Sequence, residues 1–329
     1  MQMTPVVVTA TPPKVKRRAG RTPNPPSVTD VDGNVTKIVT ANQAEQIAFQ
    51  KLRSGLSEQQ IALIDNLGQG GVMTARQLQA VTGLSYGRLK NSQGELLLDR
   101  IRLLPDLHPQ RLIDNGLVEA SDKSGAVVYT LGVVGMALAK QRLAPYKPAP
   151  SGYSGFNGTR IIHDLIVNEI VLRMGKRAAE LGWQLQWIHK QRASVFDEKG
   201  NAMIEPDALL LLRHPATRIE RMLALEYHNE DRGARAKMKV DKYHQTFLSN
   251  RWNEGWDTKT MPAVAAVFRN EFVGQDYFAC VKEATTKNGL KVRFIGKSLS
   301  DMLNLNADEG WVDFATRKAS YPLKLPEKK

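Results

Sequence analysis

The chain has 329 residues and 42% hydrophobic content, enough for two ordinary domains with real cores. No apolar run approaches the ~18 residues of a membrane span, and the lone cysteine, Cys280, excludes an internal disulfide, so a cytoplasmic protein is expected. Lysine and arginine number 46 against 33 acids, a net charge of +13, which favours a polyanionic partner over a small acidic substrate.

Residues 1–40 carry six basic and two acidic groups and the run TPPKVKRRAGRTPNPP, nearly free of aromatics. Such a stretch cannot bury enough apolar surface to fold alone, and a solvated basic tail is expected. The opening MQMTPVVVTATPP puts apolar residues before the basic ones, the reverse of a secretory signal. Lys14, Lys16, Arg17, Arg18 and Arg21 are candidates to lie along a phosphate backbone or in a minor groove.

The spacing of Ala44, Ile47, Ala48 and Leu52 predicts a helix over 41–55, and Ser57-x-x-Gln60 is a capping box opening a second helix over 57–67. Gly-Gln-Gly-Gly at 68–71 reads as a loop. Thr74 is an N-cap for a third helix with Leu78 and Val81 inward and a stop at Gly83. These helices read as the front of a helix-turn-helix. Further on, RLIDNGLVEASDKSGAVVYTL predicts a helix stopped at Asn115-Gly116, a strand at 117–120, a turn at 122–125, a return strand at 126–130 and a closing helix over 131–143. This is the ending of a winged helix, a fold that sets one helix in the DNA major groove and a wing on the backbone.

Two placements of the reading helix stay open. By order it is 85–93, exposing Tyr86, Arg88, Lys90 and Asn91; by adjacency to the wing it lies nearer Arg111. Lys123 is the wing's basic residue. The alternatives are a winged helix that binds protein, or basic residues that only solvate a surface.

Three prolines and three glycines in 143–158 mark a linker, so the expected organisation is a tail over 1–40, a winged-helix domain over 41–145, a linker over 146–158 and a second domain over 159–329. That last part opens with an amphipathic helix over 159–181, with Ile162, Leu165, Ile166, Ile170 and Met174 at core spacing and His163, Asn168 and Glu169 as its notable polar residues. Strands follow over 183–189, 208–212 and 221–228, a helix over 234–248, a buried strand over 263–268, a helix over 276–284, a strand over 292–295 and a short helix over 298–304. The expected class is α/β (α+β overall), with a mixed sheet flanked by helices.

Within that sheet Pro206-Asp207 stands at the mouth of one strand, and Glu226 and His228, one residue apart, share a face of the next. Two carboxylates meeting there would repel by ~4 kcal/mol at 4 Å and an effective dielectric of 20, a repulsion that a metal or a cationic neighbour relieves. The histidines show no zinc spacing, and no Walker A, Rossmann or GxSxG motif stands in usable context.

The order Pro206-Asp207, short gap, Glu226 resembles the core of the PD-(D/E)XK nuclease superfamily. With Asp231-Arg232-Gly233 and with Lys239 ahead of Tyr243, the chain resembles more narrowly the replication-relaxation family of plasmid and mobile-element proteins, in which a winged helix precedes a PD-(D/E)XK-like domain. The likeness runs over about 57–294. It departs at His228, where the superfamily has lysine and many replication-relaxation proteins have aspartate; a histidine is charged about a quarter of the time at pH 7.

The resemblance implies Asp207 and Glu226 as metal ligands if the site is active, with His228, Lys239 and Glu169 as further catalytic candidates, and His163 and Asn168 as structural. Lys237 or Lys239 could reach back to replace the strand lysine. Alternatively Arg232 or Arg235 pairs with the acids, or Glu226 is bonded to Tyr243 or Lys242 as plain architecture. Three functions follow: a DNA-binding protein of a plasmid or mobile element, acting in replication, relaxation, mobilisation or its regulation, with a degenerate nuclease-like domain; a Mg²⁺-dependent DNA endonuclease or nickase; or a scaffold docking another replication, mobilisation or transposition protein. The partner implied is double-stranded DNA, with no membrane, and the cofactor is none, or Mg²⁺ if the site cleaves.

Overall fold

The structure is a computed structural model describing residues 27–29, 35–37, 39–103, 126–145, 148–149, 158–188, 190–229, 234–269 and 271–326. The chain divides into two compact units, Met1–Thr40 and Ala41–Lys329. In the first, β1 (Ser27–Thr29) pairs antiparallel with β2 (Val35–Lys37), so the stretch expected to be without structure holds a short ladder of β-branched residues. Lys14, Lys16, Arg17, Arg18 and Arg21 lie outside the described residues.

The second unit begins with α1 (Ala41–Ser54) and α2 (Glu58–Gly70). The capping box at Ser57 forms: Ser57 Oγ accepts from the Gln60 backbone N–H at 3.2 Å, and Gln60 Oε1 accepts from the Ser57 N–H at 3.1 Å. Gly68, Gln69 and Gly70 are the last turn of α2, not a loop, and Gly71 turns the chain out with φ 74°. Helix α2 therefore runs straight into β3 (Val72–Thr74). Thr74 closes β3 and caps α3 (Ala75–Thr82) with a second reciprocal box to Gln77. Gly83 in the left-handed region ends α3, and Ser85 caps α4 (Tyr86–Gly94).

Then come β4 (Leu98–Leu103), β5 (Ala126–Leu131) and α5 (Val133–Arg142). Strands β3, β4 and β5 form an antiparallel sheet in the order β3-β5-β4. Over 128–130 both edges of β5 are taken, by β3 and by β4; the strand expected at 117–120 lies outside the described residues. Residues 104–125, with Arg111 and Lys123, lie outside the described residues.

The rear of the unit is a seven-stranded mixed sheet. In chain order its elements are α6 (Gly158–Glu180), β6 (Gln184–Ile188), α7 (Lys190–Ala193), the hairpin β7 (Val195–Phe196) and β8 (Ala202–Ile204), β9 (Ala208–His214), β10 (Ile219–His228), α8 (Ala234–Ser249), α9 (Arg251–Trp256), β11 (Ala263–Phe268), α10 (Glu271–Asn288), β12 (Phe294–Ser298), α11 (Leu299–Asn304), β13 (Trp311–Asp313) and β14 (Ala319–Ser320). The sheet order is β14-β13-β12-β11-β10-β9-β6, with β10, β11 and β12 parallel and the other pairs antiparallel.

Helix α6 covers one face through Ile162, Leu165, Ile166, Ile170 and Met174. On the other face α8 and α10 bring Val240, Tyr243, Val273, Tyr277 and Val281. The apolar cluster under α6 also takes in Val72 of β3 and Val128 of β5, so the core continues into the three-stranded sheet. Buried Asn168 fastens that join, donating from Nδ2 to Val72 O at 2.6 Å and Gly70 O at 3.1 Å. Among the described residues no helix is long and apolar enough to cross a membrane.

Candidate functional site

The antiparallel ladder between β9 and β10 stops at Ala208 opposite Leu225, but β10 runs on to His228. Past the end of that ladder, the Tyr227 backbone N–H donates to Asp207 Oδ2 at 2.9 Å, while the Asp207 N–H donates to Leu225 O at 2.9 Å. The first acid of the motif thus completes the hydrogen bonding of the strand that carries the second.

On the α6 side of the sheet, His163 Nε2 stands 3.5 Å from Asp207 Oδ2, and its Nδ1 stands 3.3 Å from Asp164 Oδ1. Its ring packs at 5.3 Å from the ring of Tyr227. Burial works against a charged imidazole here, but Asp207 and then Asp164 outweigh it and raise the His163 pKa from 6.5 to about 10. His163 is therefore a cation at neutral pH.

Alternation along β10 turns Glu226 to the opposite face, where it is 1% exposed. Lys239 Nζ donates to its Oε2 at 2.6 Å and Tyr243 Oη to its Oε1 at 2.8 Å. Lys239 and Tyr243 are four residues apart, on one face of α8. Burial pushes the Glu226 carboxyl up against the pull of the Lys239 ammonium, and the Asp207 charge adds to that push. Glu226 and Asp207 together overcome burial to hold the Lys239 pKa above its ordinary value. Burial beside Glu226 raises the Tyr243 phenol well above its usual range.

Of the catalytic candidates, Asp207, Glu226 and Lys239 are charge-coupled at one end of β10. His228 shares the Glu226 face, but its Nε2 lies 2.5 Å from Tyr277 Oη of α10 and it is buried there. Glu169 is engaged elsewhere, contrary to its expected place beside the acids. Its carboxylate meets Arg76 Nη2 at 2.8 Å, Arg173 Nε at 2.9 Å and Gln77 Nε2 at 3.2 Å, tying α3 to α6. Lys237, Lys242 and Arg235 are exposed on α8, and Arg232 lies outside the described residues. His163 joins Asp207 rather than serving the core alone; the only signal for it was the adjacent His163-Asp164 pair on the helix.

A divalent cation is what a PD-(D/E)XK site implies for Asp207 and Glu226, and the residues present do not fit one. Both Glu226 oxygens are occupied, one by an ammonium, and Asp207 Oδ2 holds a backbone N–H beside the His163 cation. With Lys239 paired to Glu226 and His163 beside Asp207, the charge of both acids is already balanced, and little is left to hold a divalent ion. Among the described residues no group of three or more His, Cys, Asp or Glu is arranged to hold a metal.

On the front of the unit, Tyr86, Arg88 and Lys90 lie on the exposed side of α4, with Leu89 and Ser92 buried beneath. Tyr86 is 57% exposed, and Arg88 Nη1 donates to Gln59 Oε1 at 3.0 Å.

Residues 64–260, more than half of the chain, match the replication-relaxation family. The chain belongs to the replication-relaxation family. No curated protein and no solved structure matches it. Membership gives this replication-relaxation protein a role in the replication or relaxation of mobile elements. The matched span opens inside α2 and closes beyond α9, so it takes in α3, α4, the three-stranded sheet, and the Asp207 and Glu226 pairs.

Proposed function

We propose that this chain grips duplex DNA through a winged helix-turn-helix and carries a PD-(D/E)XK-like domain that does not cleave. The observation that carries DNA binding is α4, which follows the capped α3 and presents Tyr86, Arg88, Lys90 and Asn91 to solvent. The order α2, β3, α3, α4, β4, β5, with β5 central in its sheet, supports the winged-helix assignment and favours α4 over the region of Arg111 as the reading helix. A net charge of +13 on the whole chain supports a polyanionic partner.

For the rear domain, the ion pair and phenol bond on Glu226 support a locked carboxylate in place of a metal ligand. The domain's role is then to hold or position DNA or a replication partner for plasmid or mobile-element maintenance.

Gel-shift titrations of full-length protein on a duplex across a salt series test the first half: affinity falls steeply with salt, and flat affinity overturns it. Incubation with supercoiled plasmid and Mg²⁺ or Mn²⁺ tests the second. No nicking is expected, and nicking that Asp207→Ala abolishes overturns the non-cleaving reading.

A further inference from the structure

Between α2, α3, α6 and β6 the second unit holds an open cavity of about 710 Å³, within the range of small-molecule sites. β6 is the outermost strand, paired only with β9, and its half-buried Trp187 lines this space. The neighbouring turn of α2 is built to approach the indole: a Cβ on Gly70 would stand 2.8 Å from Trp187 Cη2 and 2.7 Å from Asn168 Oδ1.

The wall mixes apolar and polar groups, and not every polar group is satisfied. Gln69 lines the cavity, and its Oε1 is buried without a hydrogen-bond partner, an acceptor left for an incoming N–H. Arg76, Arg173 and Lys176 line the cavity with one carboxylate, Glu169, which pairs with the two arginines, leaving an excess of positive charge. Arg76 is 52% exposed in its side chain, and Lys176 is exposed and makes no ion pair among the described residues.

We infer that this cavity binds one nucleotide unit, its base against Trp187 and hydrogen-bonded to Gln69, its phosphate between Arg76 and Lys176. An aromatic face answers a base of any sequence, the unmet amide oxygen answers a base N–H, and arginine and lysine answer the phosphate. The cationic excess rules against a metal ion. The same chemistry is offered by a free nucleotide and by one residue of single-stranded DNA. The inference does not depend on duplex binding by α4, since the cavity lies apart from Tyr86, Arg88 and Lys90.

The test titrates full-length protein with deoxyadenosine monophosphate by calorimetry and with a labelled single-stranded decathymidylate by anisotropy, using inorganic phosphate as competitor. Saturable binding of at least one probe is expected, about tenfold weaker in Trp187→Ala and about fivefold weaker in Gln69→Leu, with phosphate alone a poor competitor. Binding of the mononucleotide identifies a free nucleotide as the source, and binding of the decamer alone identifies the strand. The assignment is overturned if neither probe saturates, if neither variant changes the affinity, or if phosphate competes as well as the nucleotide does. Gln69→Leu keeps the bulk of the side chain and removes one unpartnered amide oxygen, so it keeps the test decisive if Trp187→Ala does not fold. Duplex gel shifts of both variants run alongside, so that failure of the pocket is distinguishable from failure of the winged helix.

Discussion

Replacing Lys239 with methionine tests the lock on Glu226 directly. Methionine keeps most of the aliphatic stem packed but removes the ammonium that stands 2.6 Å from Glu226 Oε2, leaving a carboxylate that is 1% exposed with Tyr243 Oη as its remaining partner. Breaking a buried pair from one side costs about 3–5 kcal/mol, because the surviving charge has lost its compensation. At roughly 2 °C per kcal/mol for a folded unit of this size, Tm falls by about 6–10 °C. The loss also depends on pH. Burial already raises the Glu226 pKa, and without the ammonium it rises further. An acid whose folded-state pKa is raised destabilises the fold as pH climbs through that value, so the Tm deficit of Lys239→Met grows from pH 5 to pH 8. The triple variant Glu226→Leu, Lys239→Met, Tyr243→Phe leaves neither a buried charge nor an orphan hydroxyl and recovers most of the loss. Thermal melts followed by circular dichroism read all of this. A Lys239→Met protein that melts within 1 °C of the parent at both pH values refutes the argument, because the ammonium would then not be compensating Glu226.

Three further outcomes are expected. Arg88→Ala and Lys90→Ala, on the exposed side of α4, leave Tm within about 1 °C but weaken duplex binding, and each one that contacts a phosphate lowers the salt slope measured by gel shift by about 1. Asn168→Ala strands the carbonyls of Gly70 and Val72 and costs about 2–4 kcal/mol, read as a lower Tm and faster amide exchange at 70–74. His163, raised from 6.5 to about 10 by Asp207 and Asp164 against its burial, stabilises the fold fully below pH 6.5 and loses that contribution as pH rises through about 10. The fall of Tm between pH 7 and 10 is therefore shallower in His163→Gln, and an unchanged slope contradicts a buried imidazolium.

The rear sheet was legible because its segments obey one period each: the apolar stripe of α6 and the continuous apolar runs of β9 and β11 admit little else. The front was less so. β3 is three residues long and ends on the threonine that caps α3, so the cap masks the strand. β4, with Leu98, Ile101 and Leu103 as its apolar residues, lacks strict alternation and suits a helix as well as a strand. At the site, Lys239 and Tyr243 were readable as one helical face, yet nothing in the sequence ranks them above Lys242 or Arg235 as partners of Glu226, since that choice is a matter of distance. The misplacement of Glu169 has a geometric cause. It lies six residues beyond His163, about 240° around the helix, so a helix that turns His163 to Asp207 turns Glu169 away from it.

That same geometry makes α6 the member through which the two halves of the second unit constrain one another. Its first turns aim His163 at Asp207, its middle gives Asn168 to the α2–β3 corner and Glu169 to Arg76 and Gln77 of α3, and Arg173 continues to Leu303 O of α11 at 2.8 Å. Polar groups buried along a single helix resist sliding, because a shift of one residue would unmake several hydrogen bonds at once while still burying their partners. If α4 seats in a duplex as proposed, that duplex is held at a fixed bearing to the end of β10, and a load on α4 passes through α3 and α6 toward the His163–Asp207 contact. Loosening the middle of α6 with Asn168→Ala is then expected to cost orientation at the site as well as stability, even though the hydrogen bonds of Asn168 go to Gly70 and Val72 and not to either acid.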